Sequence, residues 1–559
     1  MNDLDHFEIE GFMTNTTLRR TVVASALASA MVATIAPAAT ADPEPPRQRE
    51  THQATTAQPE IAHDIPDRYA DQDLNWHPCT GDELDAPQPE EHPLECATYV
   101  TPQDWNNADS GEDITIAVSR LKAKGDATAS VLTNPGGPGA PGRDFPLRLA
   151  EQDRLRQHQE VIGFDPRGTG RSTNITCGGA IGTGDSLDPR DRSRENLNLI
   201  LDATKYAADS CQVKSGELGP LINTFQTTHD MDLLRTLLGR DKINWVGYSA
   251  GTWLGAHYAQ RFPEHTGRFV LDSSTEFTTT WQRSFDWQPL GFERRWRDDF
   301  LPWMAKYDEE YGFGKSGEEA RQTYEDVRAA LAEEPVELDG EKVGPNELDS
   351  AIAGMLYSKS SFPSLAEYLV SLRELTGEPK AASTEALADL RKLISETKAL
   401  GPQPLIVNNG VDQADDAYDA SFWTIPCNEG PWYGNRMTAT WQSEMMGRQW
   451  PLLGWGWLIQ PCIFWKGKPI ELPEMDGEGV PPTLIVQSEN DPATPIEGAR
   501  RAHARFEGSR MITVTDEGDH GIYAGDNPKV DKVVEDYLVD GVVPEDQSIP
   551  GAPMPTPNG

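Results

Sequence analysis

The sequence predicts an α/β protein: a mostly parallel sheet flanked by helices, with an inserted helical cap. Three observations predict it. Short apolar runs alternate with helical patterns up to Asp272, the rhythm of a parallel sheet with right-handed crossovers. From about Ser274 to Glu474 that rhythm stops and helical patterns take over. It resumes at Pro482-Thr483-Leu484-Ile485-Val486-Gln487.

Taken in order, Ile114 to Leu121 alternates as a strand does, and Ala129 to Thr133 is a short apolar strand. Glu160 to Phe164 is the next strand, and Asp165 to Ser172 follows as a tight structural turn. That turn lacks the G-K-[ST] of a phosphate loop, so nucleotide binding is not expected. Thr228 to Leu238 reads as an amphipathic helix, with Thr228 as its cap and Gly239 as its stop. Ile243 to Val246, Arg268 to Asp272 and Arg510 to Thr515 complete the strands. Helices are predicted in the insertion at Gly317 to Glu333, Pro345 to Tyr357, Ser364 to Leu375 and Ser383 to Leu400. Eleven tryptophans between Trp281 and Trp465 fit core packing, and some can line a cleft.

The predicted division is 1–41 signal peptide, 42–67 linker or removable pro-segment, 68–273 first part of the sheet domain, 274–474 cap, 475–540 second part, and 541–559 a loose Pro-rich tail. Arg19-Arg20, the apolar run Val22 to Ala36 and Ala39-Thr40-Ala41 form an export signal, cleaved near Ala41. Translation starts at Met1 or at Met13, since the acidic first 12 residues are atypical of a signal. The chain is therefore expected outside the cell. A net charge of −40, spread along the 559 residues, fits a solvated surface and argues against nucleic acid or anionic membrane as partner. We expect a monomer.

Cys79, Cys96, Cys177, Cys211, Cys427 and Cys462 are an even set in an exported chain, which points to disulfides. Six cysteines allow 15 connectivities. The sequential pairing closes the shortest loops and is the expected one. No cysteine has metal-ligand spacing, and no metal or cofactor is expected.

The chemistry centres on Gly247-Tyr248-Ser249-Ala250-Gly251, a G-x-S-x-G between a strand and a helix. That is the nucleophile elbow of α/β-hydrolases, in which a sharp turn exposes the serine hydroxyl. A serine needs a base, and the base an orienting acid, in the chain order Ser, acid, His. Asp491 lies at the C-terminal end of a strand, where ligands bind in open α/β sheets, and is the candidate acid ahead of Glu489 and Asp516. His520 lies 29 residues further on, in the loop after the last predicted strand, and is the candidate base. His503, the other histidine beyond Asp491, falls in a helical stretch. The backbone N–H of Ala250 and that of Gly137, in the loop Asn134 to Gly142, are the candidate oxyanion donors.

The motifs Gly247 to Gly251, Asn134 to Gly139, Asp491 to Pro495 and Gly518-Asp519-His520 together resemble those of the secreted tripeptidyl aminopeptidases of actinomycetes, α/β-hydrolase relatives of prolyl iminopeptidase. The likeness runs from about Trp76 to about Tyr537 and takes in Trp76-x-x-Cys79, Glu95-Cys96-Ala97-Thr98, Asp165-Pro166-Arg167-Gly168-x-Gly170-x-Ser172 and the late Cys427 and Cys462. Asn134-Pro135 precede Gly136-Gly137 where prolyl iminopeptidases have His-Gly-Gly-Pro-Gly, which leaves the donor role of Gly137 intact but weakens any inference of single-proline release. The resemblance implies a secreted serine exopeptidase that frees short peptides, tripeptides by that likeness, from free N-termini of peptides or proteins.

Two other readings stay open. One is an exported esterase or amidase acting on small molecules, since the same triad cleaves both bonds. The other is a non-catalytic binding protein. An aminopeptidase must also hold a cationic α-amine, and that calls for an acidic anchor. Glu429, beside Cys427 and between Trp423 and Trp432, ranks first; Glu276, just after the strand ending at Asp272, ranks second.

Overall fold

The computed structural model describes residues 65–84, 87–182, 184, 186–338, 341–377 and 414–557. The expected signal peptide, nearly all of 42–67, and the predicted helix Ser383 to Leu400 lie outside the described residues.

Among the described residues one sheet carries ten strands. They are β1 (His77–Pro78), β2 (Glu95–Pro102), β3 (Asp113–Leu121), β4 (Ala129–Asn134), β5 (Gln159–Phe164), β6 (Ile243–Tyr248), β7 (Thr266–Asp272), β10 (Thr483–Ser488), β11 (Arg510–Thr515) and β12 (Gln547–Pro550). The short pair β8 (Val336–Leu338) and β9 (Glu341–Val343) forms a separate hairpin in the insertion. The order across the sheet is β1-β2-β3-β5-β4-β6-β7-β10-β11-β12. The first three strands pair antiparallel, and β3 is antiparallel to β5. From β5 to β12 every pairing is parallel. Parallel strands covered on both faces should be apolar throughout, and β4 to β7 and β10 are almost wholly buried.

Two local expectations differ. The helix expected from Thr228 runs Thr224–Leu237 and is capped by Asn223, whose side chain accepts from Gln226 N–H. Thr227 and Thr228 are instead buried inside it, their hydroxyls bonded back to the carbonyls of Asn223 and Phe225. The tail is not loose through its whole length. Gln547–Pro550 adds to β11 in parallel, Ile549 is buried, and Trp303 Nε1 donates to Pro555 O at 2.8 Å. Proline and glycine around it conceal a four-residue edge strand in the sequence.

The insertion is held by its own core, centred on Trp296, Phe300, Tyr324, Leu348, Phe362 and Leu369. Three disulfides join Cys79–Cys96, Cys177–Cys211 and Cys427–Cys462, and no cysteine is free among the described residues. No described helix is long and apolar enough to cross a membrane.

Candidate active site

β6 delivers Tyr248 to the sheet's C-terminal edge, and the helix Ala250–Arg261 begins two residues later. Ser249, between them, takes φ 56° and ψ −128°, a conformation costly for a residue with a Cβ. Its N–H donates to Asp272 O at 3.0 Å. The turn closes only because its glycines are bare: a Cβ on Gly251 would fall 2.8 Å from Asn134 O, and one on Gly136 would fall 2.8 Å from the Cβ of Ser249. The Asn134–Gly139 loop therefore presses its backbone against the serine.

Gly137, Ser249 and Ala250 border one small cavity of about 20 Å³. Ala250 is the first residue of its helix, so its N–H has no partner in the preceding turn and faces the positive end of the helix dipole. Gly136 N–H is committed to Asn134 Oδ1 at 2.9 Å, which leaves Gly137 as the loop amide beside the serine.

Asp491 is fully buried after β10. Its Oδ1 accepts the N–H groups of Ala493 at 3.0 Å and Thr494 at 2.8 Å. His520 Nδ1 stands 2.9 Å from Oδ1 and 3.0 Å from Oδ2. The acid's competitors bond to each other, Glu489 accepting Asp516 N–H, and the other late histidine, His503, bonds to Ser509 and Asp546. The insertion also grips the histidine. Its backbone N–H donates to Tyr357 O at 2.8 Å, and the Tyr357 ring meets the imidazole edge-on at 5.1 Å. His520 borders a second, larger cavity of about 410 Å³.

The two anchor candidates differ in their surroundings. Glu429 is buried, and both of its oxygens are taken: Oε1 accepts Thr224 N–H, and Oε2 accepts Trp281 Nε1 at 2.7 Å. Burial pushes its carboxyl up to about 7. It stands one indole behind the serine cavity, because Trp281 itself borders that cavity. Proximity to Cys427 in sequence did not reveal this. Glu276 borders the serine cavity directly. Its Oε2 accepts Trp287 Nε1 at 2.9 Å and pairs with Arg501 at 3.3 Å. Its Oε1 is buried and has no hydrogen-bond partner among the described residues, and the same holds for Gln288 Oε1 in the same wall. Two unmet acceptors in one wall suit a ligand rich in N–H donors.

Sequence reasoning missed Gln288, which lines the cavity, and did not single out Trp281 and Trp287 from the eleven tryptophans of which some were expected to line a cleft. Asp272 was legible only as a strand end. No group of three or more His, Cys, Asp or Glu side chains able to hold a metal occurs among the described residues.

Comparison with known proteins supports the fold and the family. Residues 129–310 match the alpha/beta hydrolase fold family, and residues 451–549 match the TAP-like protein family. The chain is 32% identical over 504 residues to the tripeptidyl aminopeptidase of Streptomyces lividans, covering 88% of each chain. It is 25% identical over 486 residues to the serine protease Hip1 of Mycobacterium tuberculosis, covering 85% of this chain and 90% of that one. It is 26% identical over 504 residues to a carboxylesterase B of Mycobacterium tuberculosis, covering 84% and 88%. With an α/β-hydrolase sheet and this degree of likeness along nearly its whole length, the chain belongs to the tripeptidyl aminopeptidase family of serine peptidases.

Proposed function

We propose that the protein is an exported exopeptidase that releases short peptides, tripeptides in the first place, from free N-termini. The observation that carries this reading is the cavity shared by Ser249 and a buried glutamate with one unmet oxygen, Glu276.

The chemistry follows from the groups present. His520 takes the Ser249 proton as Oγ attacks the scissile carbonyl. The N–H groups of Gly137 and Ala250 receive the oxyanion. Asp491, bonded to Nδ1, orients the ring, leaves Nε2 as the nitrogen for the serine, and stabilises the imidazolium. His520 then protonates the leaving amine, and water releases the acyl group. The acyl portion lies on the Ser249 side, where Glu276 Oε1 and Gln288 Oε1 in the cavity wall receive the α-ammonium. The leaving chain departs on the side of His520, where the larger cavity gives an uncut polypeptide room. Three extended residues span up to about 10 Å. The name of the Streptomyces relative supports that length.

Export is supported by the three disulfides and the signal-like N-terminus. The mycobacterial carboxylesterase relative favours one second reading, ester hydrolysis on small molecules. Hydrolysis of a tripeptide anilide, its N-acetyl form and a short nitrophenyl ester separates the two. The exopeptidase prefers the free-amine anilide, whereas an esterase prefers the ester and ignores acetylation.

A further inference from the structure

β7 lies between β6 and β10, and its last residue, Asp272, is level with Tyr248 of β6 and Val486 of β10. Its carbonyl already fixes the nucleophile, accepting Ser249 N–H at 3.0 Å. Its side chain does something separate. Oδ1 accepts Ile522 N–H at 3.0 Å, and Oδ2 accepts Tyr523 N–H at 2.7 Å. The next residue, Ser273, accepts Gly521 N–H on Oγ at 2.7 Å and lies 3.2 Å from Asp272 Oδ1. Three consecutive amides directly after His520 are thus received by two consecutive side chains.

The arrangement has two costs. Asp272 and Ser273 are both fully buried, and a buried carboxylate gives up its hydration. Ser273 has φ 53°, the left-handed region that favours glycine. The carbonyls of the same loop are held as well: Tyr248 OH donates to Tyr523 O at 2.8 Å, and Arg148 Nη2 donates to Gly521 O at 2.9 Å. An ordinary surface turn uses neither a buried carboxylate nor a left-handed serine.

We propose that Asp272 and Ser273 are positioning residues for the catalytic step: they fix the backbone that carries His520, and so set its imidazole between Asp491 and Ser249. One residue thereby ties nucleophile to base, with the Asp272 carbonyl on Ser249 and the Asp272 carboxylate on the histidine loop. This rests on the reading of His520 as general base. Neither side chain touches substrate; both act through the histidine. Displacements of about 1 Å in such a group cost on the order of 10²-fold in rate.

The test uses Ser273→Gly and Asp272→Asn in the full chain, each with His520 present and with His520→Ala. Glycine accepts φ 53° without strain, so Ser273→Gly keeps or raises Tm while removing one amide acceptor. Asparagine keeps the shape at 272 but retains one acceptor oxygen of two. We expect kcat on a tripeptide anilide to fall about 10-fold for Ser273→Gly and about 10²-fold for Asp272→Asn, with KM within about twofold. Labelling of Ser249 by a fluorophosphonate should slow in parallel. In the His520→Ala background neither change should reduce the residual rate further, because the group they position is gone. If Asp272→Asn does not fold, Ser273→Gly alone decides. Full activity of Ser273→Gly, or an equal loss in both backgrounds, overturns the proposal. Undiminished activity of His520→Ala by itself would instead overturn the reading of His520 as base.

Discussion

His520 Nδ1 stands within 3.0 Å of both carboxylate oxygens of Asp491, and Asp491 is itself pinned by the amides of Ala493 and Thr494. The acid cannot swing away, so the ring keeps one tautomer and one orientation. Ser249→Ala or His520→Ala should lower kcat about 10⁶-fold, and Asp491→Asn about 10⁴-fold. Steady-state kinetics on a tripeptide anilide checks this. Near-full activity of His520→Ala would exclude it as base.

Glu276 and Glu429 should separate under substitution. Glu276→Gln removes the charge facing the serine cavity. We expect kcat/KM on free-amine tripeptide anilides to fall about 10²-fold, and on N-acetylated ones to change little. Glu429→Gln, with its partners Thr224 and Trp281 behind the cavity wall, should affect both substrates alike. Equal losses on both substrates for Glu276→Gln would remove it as the anchor.

Asp286 carries a prediction about stability. Burial pushes its carboxyl up to about 9 from an ordinary 3.8, and its Oδ1 has no hydrogen-bond partner among the described residues. Between about pH 4 and pH 9 the folded chain holds this proton and the unfolded chain does not, so folding loses stability as pH rises across that window. Asp286→Asn removes the penalty. At pH 8 it should stabilise by on the order of 1–3 kcal/mol, and below pH 4 it should give no gain. Urea unfolding at the two pH values measures it; an equal effect at both would refute the assignment.

The Cys427–Cys462 bridge closes a 35-residue separation and fixes the helix end that leads to Glu429. Replacing both cysteines by serine should cost roughly 2–5 kcal/mol. Thermal melts of the oxidised parent and the double variant check the loss.

Much of the sheet and the candidate triad was legible because each leaves a local mark. The elbow needs bare glycines at 247 and 251, and Asp491 and His520 each follow an apolar strand. The helix cap at Asn223 was hidden, because threonines at 224, 227 and 228 offer the same side-chain chemistry one turn along. β12 was hidden because a four-residue strand that itself ends in Pro550 shows no alternation worth counting. The contrast between Glu276 and Glu429 was not legible at all. It depends on which oxygens are already occupied, by Trp287 and Arg501 in one case and by Thr224 and Trp281 in the other, and those partners lie as far as 225 residues away in the chain.

The most direct test of the central claim is mass spectrometry of the products from one peptide of known sequence, supplied with a free and with an acetylated N-terminus. The account predicts successive tripeptides from the free N-terminus, the remaining chain shortened three residues at a time, and little or no cleavage of the acetylated form. Internal fragments, or equal cleavage of both forms, would contradict it.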